Sequence, residues 1–520
     1  MRRPVCLIIR DGWGISEKKE HNAVFSAKTP FIDSSKKDYP YCHLKCSGEA
    51  VGLPEGYQGS SEVGHLNIGA GRIVTQELKR IDTSFNDGSL FDSDKWKSFI
   101  NDWKSRQSTF HFLGLLQDEG VHAHQEHLFK LLKRARQEYP EGKILVHLFT
   151  DGRDTPPKSF LGFFAALEKL LNELGNAYVA TLMGRYYAMD RSENWALTDR
   201  AMDCFLHAKG QRIDAVKDFV QEAYQKLKTP DGADMFDEYI PPAVLGDFKG
   251  IESGDLVFHS NYRQDRAIQV SKAFCSANYP GKLKVKEDIL YMGFTKYYDE
   301  FESYLMASMQ SSGNMNALLG QVISDSGLKQ LRIAETQKFR HVTSFFNGKN
   351  TSPYAGEEQL EIPSRFDPSS FASHPEMDAY TLTEALLEKI ESQDYDFIVV
   401  NYANGDMVGH TGDFTAAVKA IEVVDECLSK LVKKLLEKDA HILITADHGN
   451  SEEMFDESLQ SVKTSHTLNP VDCIYIASDA AGKQLIDGKL SDIAPTVLEL
   501  LTLKKPKEMT AKSLFSKSTV

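Results

Sequence analysis

Cysteine is scarce in this chain: seven residues in 520, scattered and odd in number. That pattern argues against a disulfide framework and for reduced thiols, so a cytoplasmic setting is expected. The nearest pair, Cys42 and Cys46, has no second pair beside it and is a weak zinc site. Long apolar runs are also missing, and none approaches membrane-spanning length. The opening "MRRPVCLIIRDGWG" has a basic tip and an apolar stretch, but Arg10 and Asp11 interrupt it too soon for a signal peptide. The end, "SKSTV", carries no recognised address. Positive charge is in deficit. A net charge of −14 argues against a nucleic-acid binder. An anionic small substrate stays open, because local cationic clusters matter more than the total.

What is present is an ordinary globular composition, 41% hydrophobic and 26% charged, in a chain too long for one core. Short β-branched runs alternate with helical patterns, which predicts an α/β protein with mostly parallel sheets. Strands are expected at 5–9, 144–149, 178–183, 255–258, 397–402 and 441–446. Helices are expected at 124–139, 378–393 (with Asp378 as N-cap) and 415–438.

Three of these strands end in possible metal ligands. "CLIIRDGWG" delivers Asp11, "FIVVNYANGDMVGHTG" delivers Asp406 and His410, and "HILITADHGN" delivers Asp447 and His448. Ligands of open α/β sheets bind beyond the carboxyl ends of strands, so a shared sheet would bring these side chains together. Asp11 lies nearly four hundred residues before Asp406. The economical topology is therefore a split domain, residues 1–78 with 312–520, interrupted by a second α/β domain at 79–311. The segments 78–87 and 296–304 are expected to be the crossing linkers and hinges for closure.

Singly, each acid is better read as a turn former or cap, and His466 in "TSHTLNP" as a satisfied surface residue. Together, Asp11, Asp406, His410, Asp447, His448 and His466 supply oxygen and nitrogen donors without thiolate. Such a set suits Mn²⁺, Mg²⁺, Zn²⁺ or Co²⁺, and its size suggests two ions. Metal would also give work to "YQGSSEVGHLNIGAGR" (57–72). A metal-bound serine hydroxyl loses its proton readily and can attack phosphorus. The alternative is that Ser60 or Ser61 merely caps a helix starting there.

The middle of the chain contributes cations. Arg153 and Asp154 follow one strand, and Arg185 and Arg191 follow another. Arg263 and Arg266 are expected on one face of a helical turn. Surface arginines are usually solvated or paired with an acid such as Asp190 or Asp265. Their repetition after strand ends points instead to a polyanionic small-molecule site. "HAHQEH" (122–127) approximates a two-zinc hydrolase motif, but the same region offers no further ligands. His122, expected at the end of a strand-like segment, is read as a substrate contact and His124 as structural.

The motifs "SEVGHLNIGAGR", "GVHAH", "TDGRDTPP", "GRYYAMDR", "YRQDRA", "GLKQLRIAETQKFRHVTSFFNG", "DMVGHTG", "TADHGN" and "HTLNPV" closely resemble those of the cofactor-independent phosphoglycerate mutases, in the alkaline phosphatase superfamily. The likeness runs nearly end to end. It implies a split alkaline-phosphatase-like metal domain with an inserted α/β transferase domain. It implies one metal on Asp406, His410 and His466, and another on Asp11, Ser61, Asp447 and His448. Two divalent ions are implied, Mn²⁺ foremost, with no bisphosphoglycerate. Ser61 becomes the phosphorylated nucleophile. His122, Arg153, Asp154, Arg185, Arg191, Arg263, Arg266 and Lys338 become substrate-binding residues. Asp154 is implied as general acid/base, and Lys338 as a stabiliser of phosphoryl charge. The implied reaction interconverts 3-phosphoglycerate and 2-phosphoglycerate in glycolysis and gluconeogenesis, with a small-molecule partner only and a monomeric enzyme.

Departures from the family pattern fall around the substrate positions and spare every implied ligand. Glu119 adds negative charge near His122, Ile268 stands where another arginine is common, and a usual Asp and Arg are lacking after Arg191, from Ser192 on. A phosphomonoesterase and a catalytically inactive binding relative are the competing readings.

Overall fold

The computed structural model describes residues 3–230, 232–283, 285, 288–307, 315–457 and 460–516. The chain forms two compact units, Met1–Lys79 with Gly313–Val520, and Arg80–Ser312. The extreme termini, including most of "SKSTV", and the 311/312 boundary expected from sequence lie outside the described residues.

The first unit is built on an eight-stranded sheet. Its order is Glu357–Ile362, Gln330–Glu335, Phe397–Tyr402, Val5–Arg10, His441–Thr445, Val471–Ile476, Tyr41–Lys45 and Gly488–Lys489. The first five strands run parallel, and Val471–Ile476 joins antiparallel. Val5–Arg10 sits at the centre and every residue is buried, which explains its unbroken apolar run: a parallel strand covered on both faces has no reason to alternate. Val5 to Ile9 share a core with Val424, Cys427, Leu428, Leu431 and Leu435 of helix Phe414–Glu437. Register then positions the site. Arg10 pairs with Tyr402 and Ile9 with Thr445, so the three strands end level and their following residues emerge at one edge.

The second unit repeats the principle. Its sheet runs Tyr304–Met306, Leu290–Thr295, Leu256–His259, Thr109–Leu115, Lys143–Thr150, Ala177–Gly184, Ala243–Leu245 and Gln211–Ile213. All neighbours are parallel except Ala177–Gly184 with Ala243–Leu245. Leu115 pairs with Phe149 and Thr150 with Gly184, so the loops that follow these strands again leave together.

The α/β class is as expected, and the six strands and three helices expected from sequence all form. Four local expectations are corrected. Residues 78–87 do contain the Lys79–Arg80 crossing but are largely a helix, Glu77–Asn86, whereas 296–304 lie within the second unit, ending in its edge strand. Asp378 stands at the start of helix Ala379–Ser392 without capping it, because its carboxylate takes the Arg365 backbone N–H and guanidinium instead. Arg263 and Arg266 are not on a helical turn. The helix begins only at Ile268, and the Tyr262 and Arg263 amides donate to the His122 carbonyl. His122 itself lies in the loop beyond strand Thr109–Leu115, not at its end.

Candidate active site and metal centre

The two serines have different jobs. Helix Ser61–Ala70 starts at Ser61, and Ser60 is its N-cap, its hydroxyl accepting from the Val63 amide at 3.4 Å. Ser61 is thereby released from capping and is buried. Its Oγ lies 2.6 Å from Lys338 Nζ, 2.9 Å from His448 Nε2 and 3.1 Å from Asp11 Oδ1. Gly64 gives the close approach this needs: a Cβ there would stand 2.8 Å from the Asp447 Cβ and carbonyl oxygen.

Lys338 follows strand Gln330–Glu335 and is buried, donating to Asp11 Oδ1 at 2.7 Å and Asp406 Oδ2 at 2.6 Å as well as to Ser61. Burial works against its charge, but the two carboxylates outweigh burial and hold the ammonium. His448 behaves alike: burial opposes its charge, while Asp447, Asp11 and Asp406 push its pKa up to about 10.

The expected ligands converge. Asp406 and His410 lie one turn apart around the short helix Asn404–Gly409. Asp406 Oδ1 lies 3.1 Å from both His410 Nε2 and His466 Nε2, and those two nitrogens are 3.1 Å apart. Each imidazole is pinned by Nδ1, His410 donating to the Thr464 carbonyl at 2.6 Å and His466 to the Gly59 carbonyl at 2.8 Å. With the proton on Nδ1, each Nε2 presents a lone pair toward a carboxylate oxygen. Three acceptors gathered this closely fit a cation. A second grouping joins Asp11, Asp447 and His448, and His448 also groups with Asp406 and His466. Asp447 Oδ2 is buried and makes no hydrogen bond, with His65 Nδ1 3.2 Å away. Hard oxygen and imidazole donors without thiolate match the divalent ions expected. Cys42 and Cys46 are free and buried, and "HAHQEH" is used otherwise: His124 caps helix Gln125–Glu138, and His127 meets Asp82 at 2.8 Å.

Sequence reasoning missed residues that hold these groups. Asn401 Nδ2 donates to Asp11 Oδ2 at 2.8 Å and faces His65 Nε2 at 3.0 Å, while His65 Nδ1 meets the Ser61 carbonyl at 2.9 Å. Asn450 Nδ2 reaches Asp406 Oδ1 at 3.2 Å. His65, Asn401 and Asn450 each lie inside or beside a quoted motif, which was the available signal.

In the second unit, buried Arg185 binds Asp151 and Asp154, the latter at 2.6 Å. Asp151, also missed, accepts the Arg153 and Asp154 amides and so shapes their loop. His122 lies 3.7 Å from Asp154 and 3.5 Å from Asp265. Asp265 in turn holds Arg191 at 2.7 Å and Arg263 at 3.4 Å, as expected of an available acid, whereas Asp190 serves the Ser192 and Asn194 amides. Arg153 pairs with Glu238. Burial, then Arg263, Arg185, Arg266 and Arg191, drive the His122 pKa far down. Burial, then Arg185, Arg191 and Arg153, lower Arg266 to about 10. These mutual effects mark one cationic cluster. Burial raises the Glu119 pKa, with Asp118, Asp154 and Asp151 adding to it.

Comparison with known proteins shows the family. The model of the Metalloenzyme superfamily matches residues 3–505. The chain is 43% identical to 2,3-bisphosphoglycerate-independent phosphoglycerate mutase 1 of Methanosarcina barkeri, with 99% of each chain covered. It is 45% identical to the 2,3-bisphosphoglycerate-independent phosphoglycerate mutase of Clostridium novyi, over 99% of each. A solved phosphoglycerate mutase of Leishmania mexicana superimposes with a TM-score of 0.78 at 29% identity, covering 99% of this chain and 98% of that one. The chain belongs to the 2,3-bisphosphoglycerate-independent phosphoglycerate mutases, within the metalloenzyme superfamily.

Proposed function

We propose that this mutase interconverts 3-phosphoglycerate and 2-phosphoglycerate through a phosphoserine at Ser61, with two divalent cations, Mn²⁺ foremost and Mg²⁺, Co²⁺ or Zn²⁺ as alternatives. Asp406, His410 and His466 would hold one ion, and Asp11, Ser61, Asp447 and His448 the other. The solved Leishmania mexicana relative was studied at low cobalt concentration, in keeping with a divalent centre. When bound, such ions lower the pKa of a coordinated hydroxyl and offset charge on phosphoryl oxygens.

The observation that carries this reading is the position of the Ser61 hydroxyl. It is freed from capping by Ser60 and surrounded by Lys338, Asp11 and His448. With its hydroxyl proton already released to solvent, Ser61 Oγ attacks phosphorus, the substrate's P–O bond breaks, and the departing glycerate oxygen takes a proton from Asp154, which enters the step protonated. Lys338 neutralises charge on the transferring group. Arginines 153, 185, 191, 263 and 266, with His122, hold the glycerate carboxylate. The other glycerate hydroxyl then gives its proton to Asp154 and attacks the phosphoserine, which breaks the P–O(Ser61) bond and restores the free serine. The negative charge added at Glu119 and the loss of a cation at position 268 bear on affinity, not on these steps. A monomer acting in the cytoplasm on small molecules completes the proposal. No helix of the described residues is long and apolar enough to cross a membrane.

Acid-quenched turnover with 3-phosphoglycerate and Mn²⁺, followed by peptide mapping, tests the intermediate: phosphate is expected on Ser61. Phosphate on Ser60, or on neither serine, would overturn it. Free phosphate appearing without 2-phosphoglycerate would favour a hydrolase.

A further inference from the structure

Glu452 has no role in the steps above, yet its surroundings are unusual for a carboxylate. It follows the "DHGN" turn and is 1% exposed. Its Oε2 accepts the Gly14 amide at 3.1 Å and the Asn450 amide at 2.8 Å. Its Oε1 accepts the Thr467 hydroxyl and, at 3.0 Å, the Asn469 side-chain amide. A carboxylate offers about four acceptor sites, and these donors fill them. Each donor belongs to a loop that bears a proposed ligand: Gly14 lies three residues after Asp11, Asn450 two after His448, Thr467 next to His466, and Asn469 three beyond it. The Asn450 side chain carries the link on to Asp406. Gly14 and Gly449 both lie against the carboxylate, and a Cβ at either would overlap it. The glycines of "DGWG" and "DHGN" are thus space left for Glu452.

We infer that Glu452 is a positioning residue. Its carboxylate fastens the loops after strands Val5–Arg10 and His441–Thr445 to the loop before strand Val471–Ile476, and so fixes where their metal-binding side chains meet. This rests on the metal reading above and extends it to a residue that touches no ion. The charge matters as well as the shape. Glutamine has the same size but brings an N–H₂ to one side. Turned toward Gly14 and Asn450, that group opposes two backbone donors. Turned toward Thr467 and Asn469, it forces the Asn469 amide to reverse and face its oxygen to Glu453, which that amide now contacts at 3.3 Å. Either arrangement loosens one loop from the others.

The test is calorimetric titration of the full-length protein with Mn²⁺, independent of turnover. Glu452→Gln is expected to weaken Mn²⁺ binding about 10- to 100-fold, the range for partners of ligand groups. Thr467→Val, which removes one donor, is expected to weaken it less, and Thr467→Ser, which restores the hydroxyl, to return it to the wild-type value. A merely structural Glu452 would lower the melting temperature of the metal-free protein and leave the Mn²⁺ dissociation constant unmoved, which overturns the inference. If Glu452→Gln does not fold, the Thr467 pair decides: wild-type affinity in Thr467→Val overturns it equally. Wild-type protein that binds no Mn²⁺ refutes the metal reading instead, a failure distinguishable from both.

Discussion

The two units solve opposite electrostatic problems with the same architecture. Both gather functional side chains on loops beyond the carboxyl ends of parallel strands. In the first unit the gathered groups are acceptors, Asp11, Asp406, Asp447 and three imidazoles around one ammonium. In the second they are donors, five arginines with Asp151, Asp154 and Asp265 between them. A site crowded with acceptors calls for cations, and one crowded with donors calls for an anion. Histidine shows the difference most sharply. In the first unit carboxylates push His448 up to about 10, whereas in the second burial and the surrounding arginines drive His122 far down.

The comparison can be broken at several points. Ser61→Ala should have the largest effect, a loss of about 10⁴-fold or more in kcat, as for a deleted nucleophile; undiminished turnover would remove Ser61 from the chemistry. Lys338→Met should come next. It leaves Asp11 and Asp406 without their ammonium, so kcat should fall about 10²–10³-fold. Added Mn²⁺ should stabilise this variant against denaturant more than it stabilises wild type. Equal stabilisation would mean that the carboxylates are not a cation site. In the second unit, Arg185→Met should raise KM for phosphoglycerate about tenfold or more, through loss of a charge-assisted contact, while Mn²⁺ affinity stays at the wild-type value. A change in Mn²⁺ affinity alone would contradict the division of labour.

Acid should separate the units further. The unfolded chain binds protons on His259 near the ordinary 6.5, and the folded chain only near 3. The unfolded state therefore holds more protons in that window, and stability falls as pH drops through it, by about 1.4 kcal/mol per pH unit for one such group. Burial likewise lowers His111 and His147, which share a hydrogen bond of 2.9 Å. Urea denaturation at a series of acidic pH values should show a shallower slope in His259→Phe, and an unchanged slope would discount this group. The smallest effect should be that of Ser60→Ala, about 1 kcal/mol for a lost cap, with turnover reduced far less than in Ser61→Ala. A comparable loss of turnover would erase the distinction between the serines.

Much of the first site could be read from the chain because its proposed ligands obey a simple rule. Asp11, Asp406 and Asp447 come immediately or nearly so after apolar strands, and the split topology follows from their distance in sequence. What escaped were residues whose role depends on register or on a third loop. Glu452 sits in a turn with no periodicity, and nothing local reveals that Gly14 and Thr467 close around it. Strand Gln330–Glu335 carries Arg332 and Glu335 fully buried, against the compositional expectation for a central strand. Arg263 and Arg266 invited a helical reading because their spacing is three, but the His122 carbonyl captures the preceding amides and keeps that stretch out of a helix. Asp378 looked like a cap because capping is local, and a more distant guanidinium outcompeted it.

The bond from His466 Nδ1 to the Gly59 carbonyl has a further consequence. Gly59 immediately precedes the cap of the serine helix, and a Cβ there would collide with the Cys46 carbonyl. The peptide that orients an imidazole of the proposed metal centre is thus the same peptide that leads into the helix of the proposed nucleophile. Loading that imidazole should slow amide hydrogen exchange in the turn before Ser61, making the backbone of residues 59–63 a reporter of ion occupancy that needs no substrate.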